Sequence, residues 1–243
     1  IRDGFLGNME SDGSDIVIIV DEAHNIIDAA REQESYTIDI KLIEAAIDES
    51  TTMKGDPPLF DDVTLMPFVK EMKNILRSLA NEKITLTKKE CLIANDEIEN
   101  RLGQKFELNR NELEIAIDRM ISLGEDRTEA LMERGENRIS DIYTLGSDLK
   151  DWIMSPHDKY IKSVKVDEDG ESLHAACIDP FDVTTFLRRT KGVVHMSGTL
   201  QPLEQYVKVM ALPADTVTKI YPSPFPPENR SVIYLGNVTT GYE

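Results

Sequence analysis

Cysteine is almost absent from this chain of 243 residues: Cys91 and Cys177 are its only two. That is too few for a disulfide framework, and neither has Cys or His neighbours at zinc-finger spacing, so both read as reduced thiols. The four histidines are scattered, with no H-E-x-x-H or similar ligand spacing. Long apolar runs are lacking as well; the longest are about five residues, against roughly 18 to 20 needed to cross a bilayer. No charged start followed by an apolar stretch marks a secretory signal. The expected location is therefore cytoplasmic, or nuclear in a eukaryote, with no membrane partner. Positive charge is in deficit, with a net charge of -18, which argues against a nucleic-acid platform spread over the whole surface. Any such contact is confined to a local path. Candidate spots are Lys83 with Lys88-Lys89, and Arg188-Arg189 with Lys191, each more readily read as a solvated edge.

What is present is enough for a core: 40% of the residues are apolar. Ile16-Val17-Ile18-Ile19-Val20 is a run of β-branched residues preceded by the turn-forming Ser11-Asp12-Gly13-Ser14-Asp15. Such continuous apolarity predicts a strand of a parallel sheet covered on both faces. A helix is expected to begin within Asn25 to Arg31. From about residue 38 to 155 the pattern turns helical. Leu65, Phe68, Val69, Met72, Ile75, Leu76 and Leu79 keep three- and four-residue spacing and define one apolar stripe. Leu113, Ile117, Met120 and Ile121 predict a second helix between Asn111 and Gly124; Ile139, Ile142, Tyr143, Leu149, Trp152 and Ile153 predict a third ending near Pro156. Lys54 to Pro58 reads as a loop and Lys83 to Thr87 as a short strand. Strand patterns return at His174 to Ile178 and Gly192 to Met196, with a helix expected over Asp182 to Arg189 between them. A further helix is expected over Gln201 to Leu212. Tyr221 to Pro227, with four prolines, reads as a stiff extended connector, followed by the strand-like Ser231 to Leu235. The chain starts at Ile1 rather than Met, so the expectation is a piece of something longer.

The chemistry gathers at strand ends, where ligands of open parallel α/β sheets sit. Asp21 directly follows the first strand, and a carboxylate there can hold magnesium, bridging the outer phosphates of a nucleotide. Glu22 points differently and can orient or deprotonate an attacking water. His24 can hydrogen-bond across to a neighbouring strand end. The bland reading is an acidic turn with an ordinary histidine. Ser197-Gly198-Thr199 also follows an apolar strand and places two hydroxyls at the sheet edge, although alone it is readily a turn or a helix cap. If the two strands are neighbours, those hydroxyls meet His24 or Asp21. No G-x-x-x-x-G-K-[ST] occurs, and Gly-Lys is absent altogether, so the chain holds half a nucleotide site.

At these residues the sequence resembles the XPD family of iron-sulfur, superfamily 2 DNA helicases. Asp21-Glu22-Ala23-His24-Asn25 looks like the family's second helicase motif, and Ser197-Gly198-Thr199-Leu200, with Pro202 close behind, is similar to its third. Ser223-Pro224-Phe225-Pro226 resembles the passage into the second motor domain. The resemblance implies an α/β fold of RecA-like parallel sheet segments interrupted by a mainly helical, Arch-like insertion. It divides the chain into motor domain 1 with the DEAH motif (1–33), the insertion (34–155), returning motor domain 1 with the Ser-Gly-Thr motif (156–213), and a linker with the start of motor domain 2 (214–243). Carried over by residue, Asp21 would bind magnesium, Glu22 would activate water, and His24 with Ser197 and Thr199 would couple ATP hydrolysis to movement on DNA.

The implied activity is that of an ATP-dependent helicase moving 5′ to 3′ on single-stranded DNA and opening fork DNA in nucleotide excision repair, with repair-complex proteins as partners docking on the Arch. The cofactors implied are ATP and Mg2+. A 4Fe-4S cluster is implied for the complete protein, with no ligand assigned to this chain. Two other readings stay open: another DEAH-type motor, such as an RNA helicase or a nuclease-associated helicase, and a non-hydrolysing helical docking module.

Overall fold

The computed structural model describes residues 15–179, 187 and 190–229. The turn at Ser11 to Ser14, most of the helix expected over Asp182 to Arg189, the basic pair Arg188-Arg189 and the strand expected at Ser231 to Leu235 lie outside the described residues. The chain divides into two units, Ile1–Leu200 and Gln201–Glu243.

In the first unit, β1 (Val17–Val20) is followed by a turn of 3-10 helix and by α1 (Ile26–Glu34). The next elements are β2 (Tyr36–Asp39), α2 (Ile40–Thr51), β3 (Pro58–Phe60), β4 (Val63–Thr64) and α3 (Leu65–Lys83). They are followed by β5 (Glu90–Leu92), α4 (Glu97–Phe106), α5 (Arg110–Glu133), α6 (Asp141–Met154), β6 (Tyr160–Asp167), β7 (Gly170–Cys177) and β8 (Gly192–His195). The fold class is α/β with a small parallel sheet: β1 and β8 pair in parallel, Val17 opposite Gly192 and Val20 opposite His195. A second sheet has the order β2-β7-β6-β5 and is antiparallel throughout.

The helices over this second sheet bury the stripes read from the sequence. All seven stripe residues of α3 are buried, none more than 3% exposed. They join Ile43 and Ala46 of α2, Leu113, Ile117 and Met120 of α5, Ile142, Leu149 and Trp152 of α6, and Val164 and Leu173 of the sheet in one core. Local chemistry fixes the helix starts. Asp39 accepts from the Leu42 amide at 2.7 Å, and Asn109 and Glu112 form a reciprocal capping box. Ser140 caps α6 by accepting from the Tyr143 amide.

Four expectations are corrected. The strand at His174 to Ile178 belongs to the antiparallel sheet, as β7 beside β2 and β6, and does not join the parallel pair. Its inward side chains Leu173 and Ala175 find their apolar neighbours under the helices. Lys83 to Thr87 is not a strand: α3 runs through Lys83, and Thr85 and Lys88 exchange backbone hydrogen bonds across a tight turn that leaves Leu86 fully exposed. The helix expected to stop at Gly124 continues to Glu133. Gly124 lies where α5 meets α6, and a Cβ there would come within 2.4 Å of the Tyr143 backbone. Finally, among the described residues β1 is not covered on both faces; Val17 and Ile19 are 57% and 66% exposed, the described part of its sheet being two strands that shield alternate residues only in part.

In the second unit, Pro202 precedes α7 (Leu203–Val209), shorter than the helix expected over Gln201 to Leu212. Residues 213–226, which include most of the proline-rich segment, contain neither helix nor strand, and a 3-10 turn follows at Pro227–Asn229.

Candidate functional site at the ends of the parallel strands

The parallel register of β1 and β8 brings the two motifs together. The Met196 amide donates to the Val20 carbonyl and the Ala23 amide donates to the Met196 carbonyl, both at 2.9 Å. The ladder is thereby carried past the last strand residues into the chemistry-bearing turns. Between these two bonds the chain must reverse, and it does so at Glu22, which has φ 49° and ψ 41°. For a residue with a Cβ this left-handed conformation costs about 1 to 2 kcal/mol. The Ala23 side chain is fully buried beneath the turn, which anchors it.

Asp21 and Glu22 diverge as expected. The Asp21 carboxylate turns back onto its own turn, accepting from the Glu22 amide at 2.8 Å through Oδ1. The Glu22 carboxylate faces the second motif. Its Oε2 lies 3.2 Å from the Ser197 hydroxyl and 3.2 Å from His24 Nδ1. His24 Nδ1 lies 2.8 Å from Ser197 Oγ, a bond between residues 173 positions apart. Thr199 completes the cluster: its amide donates to Ser197 Oγ at 3.2 Å, and its hydroxyl lies 3.4 Å from the same oxygen. Glu22, His24, Ser197 and Thr199 are thus one hydrogen-bonded group, with Asp21 beside it. Their meeting follows from strand pairing, because the shared end of two parallel strands places both following turns on one side.

As a strand-end carboxylate, Asp21 would offer magnesium the oxygen donor that this ion takes. The chain's thiols do not fit an iron-sulfur cluster. Cys91 lies on β5 and Cys177 on β7, with β6 between them, and burial pushes the Cys177 thiol above its usual range. Of the basic spots, Lys83 ends α3, Lys88 and Lys89 are exposed beside the Thr85 turn, and Lys191 donates its amide to the Ile16 carbonyl. None of these touches the strand-end group. What sequence reading missed is the direct contact of Glu22 with Ser197 and His24; the left-handed backbone that makes it carries no sequence signature at a glutamate. Among the described residues no helix is long and apolar enough to cross a membrane.

Comparison with known proteins gives two family matches. Residues 46–243 match the helical and beta-bridge domain, and residues 5–43 match the family described as DEAD_2. Among solved structures, one titled as XPD in its apo form is similar at 20% identity and a TM-score of 0.46, over 80% of this chain and 32% of that one. The chain therefore spans about a third of that structure's length.

Proposed function

The chain belongs to the family of the helical and beta-bridge domain, and from that premise we propose that it supplies part of an XPD-like, ATP-dependent 5′ to 3′ DNA helicase. In this reading Asp21 holds the magnesium of MgATP, Glu22 is the base that orients and deprotonates water, and the Ser197-Thr199 turn reports the state of that site to bound DNA. Held by Asp21, magnesium would neutralise negative charge on the nucleotide's phosphates. The phosphate cradle, for which the chain has no Gly-Lys loop, comes from sequence outside it. Single-stranded and fork DNA are the substrates, opening of damaged DNA in excision repair is the setting, and the inserted helical domain is the surface for repair partners. The 4Fe-4S cluster belongs to the remainder of the protein.

The observation that carries this reading is the 2.8 Å contact between His24 Nδ1 and Ser197 Oγ. It links an acidic strand end to a hydroxyl-bearing strand end, which is the connection a motor needs between hydrolysis and movement. The test is Glu22→Gln in the complete protein. The variant keeps ATP binding, because magnesium is held by Asp21, and loses hydrolysis by at least about a hundredfold, the lower end of what a positioned base supplies. Normal turnover in that variant would remove Glu22 from its role.

A further inference from the structure

The strand-end group contains more acceptors than hydrogens, and counting them fixes a proton. The Glu22 carboxylate can only accept, and the Thr199 amide can only donate. Ser197 Oγ therefore receives the Thr199 N–H at 3.2 Å and has one hydrogen of its own to give. Two contacts remain to be explained: His24 Nδ1 to Ser197 Oγ at 2.8 Å, and Glu22 Oε2 to both Ser197 Oγ and His24 Nδ1 at 3.2 Å. Suppose Nδ1 carried no hydrogen. If the Ser197 hydroxyl then donated to Nδ1, the carboxylate would face two atoms with no hydrogen directed at it. If the hydroxyl instead donated to Glu22, the 2.8 Å contact would set a ring lone pair against an oxygen lone pair. The Thr199 hydroxyl, 3.4 Å from Ser197 Oγ, changes neither outcome. With a hydrogen on Nδ1 every contact is satisfied: Nδ1–H points between Ser197 Oγ and Glu22 Oε2, and the Ser197 hydroxyl donates to Glu22.

We propose that His24 is held as its Nδ1–H tautomer and, with the Ser197 hydroxyl, positions the Glu22 carboxylate through that hydrogen. The role rests on the proposed function of Glu22 as base. His24 is a positioning residue here: it acts on the carboxylate, not on water or nucleotide. Two donors on one carboxylate oxygen fix the carboxylate plane, which a side chain that is 64% exposed would not otherwise keep. In the neutral ring Nε2 is then the acceptor nitrogen.

Two measurements on the complete protein test this. Nitrogen-15 spectra of labelled histidine, with the His24 signals assigned by their loss in His24→Asn, are expected to show the Nδ1–H pattern without nucleotide. An Nε2–H pattern overturns the proposal whether or not Glu22 is the base. The second measurement compares two amides in ATPase assays. Asn places an N–H near the Nδ1 position, whereas Gln reaches towards Nε2. His24→Asn is expected to keep kcat within about threefold, while His24→Gln falls at least about tenfold, a fraction of the roughly 10² to 10⁴ that a positioned base supplies. Equal rates, or Gln outperforming Asn, overturns the role of the Nδ1 hydrogen. Failure of the Glu22→Gln test with an Nδ1–H spectrum would instead remove the catalytic reading and leave the tautomer standing.

Discussion

Glu49 is a carboxylate with 2% of its side chain exposed, held where three helices converge. Its Oε2 accepts from the Ser140 hydroxyl at 2.7 Å and from the Ile142 amide at 3.0 Å, which caps α6 from a distance. Its Oε1 lies 3.5 Å from Arg127 of α5, and that guanidinium also donates to Thr52 at the end of α2. Removing one partner of a buried pair strands the other. Glu49→Ala is expected to lose about 3 kcal/mol, read as a lowered midpoint in urea unfolding; an unchanged midpoint would show that Arg127 is hydrated instead. Asp148 tells the opposite story. Burial first, then the neighbouring Asp151 and Asp39 carboxylates, push its pKa up to about 6. An unfolded aspartate titrates near 3.9, so between about pH 4 and 6 the folded chain holds the extra proton and stability falls as pH rises. Because Asp148 is partly exposed, the burden at neutral pH is discounted to about 1 kcal/mol. Asp148→Asn should raise stability by that amount at pH 7 and flatten the slope from pH 4 to 6 in thermal melts. At this scale the strand-end acids were legible, since an acidic pair after an apolar run names its own position. Glu49 and Asp148 were not, because their character comes from neighbours distant in sequence.

The helices were legible where one stripe faces one core, as in α3, and less so where two helices touch closely. Gly124 reads as a stop in the sequence, but its missing Cβ is what admits the Tyr143 backbone of α6. One turn along α6, a Cβ on Gly146 would meet the Ile121 side chain at 3.0 Å, a contact a flexible side chain can relieve. Gly124→Ala should therefore cost about 2 to 3 kcal/mol, as overpacking does, and Gly146→Ala clearly less, compared by calorimetry. Equal losses would mean that the helix crossing has slack. Of the antiparallel strands, β7 was read in part from the sequence, but its neighbour β6 was hidden for another reason. β6 buries three consecutive residues, Lys162, Ser163 and Val164, and one of them is a lysine, whose Nζ donates to the Asn95 and Trp152 carbonyls at 2.9 and 2.5 Å. A lysine at a core position defeats an apolar pattern search. Burial lowers the pKa of this amine to about 8, while the two carbonyls take two of its three hydrogens and the Trp152 ring lies 5.0 Å from Nζ.

At the scale of the whole chain, the inserted domain enters and leaves through neighbouring strands. Tyr36 of β2 lies opposite Ala175 of β7, and the Cys177 amide donates to the Ser35 hydroxyl at 2.9 Å. The helical core and the antiparallel sheet lie between these points, and residues 35–178 are expected to fold as a domain of their own. Expressed alone, that segment is expected to unfold in a single cooperative transition followed by circular dichroism. A broad, non-cooperative melt would mean that β1 and β8 support it. Helical character in the sequence pointed to the helical core, but the pairing of β2 with β7 joins residues far apart in the chain, which no local pattern encodes.

The adjacency of β2 and β7 bears on a part of the molecule they do not touch. Bringing His24 against Ser197, 173 positions away, through an unfolded chain would carry a closure entropy of about 4.5 kcal/mol. Once the insertion has folded with its two ends side by side, the same meeting closes only the short segments on either side of it. The cohesion of the acidic and hydroxyl-bearing turns is thus conditional on a domain that contributes none of their five side chains. Damage to that domain's packing would loosen the strand-end group through entropy alone, with every contact within the group left chemically intact.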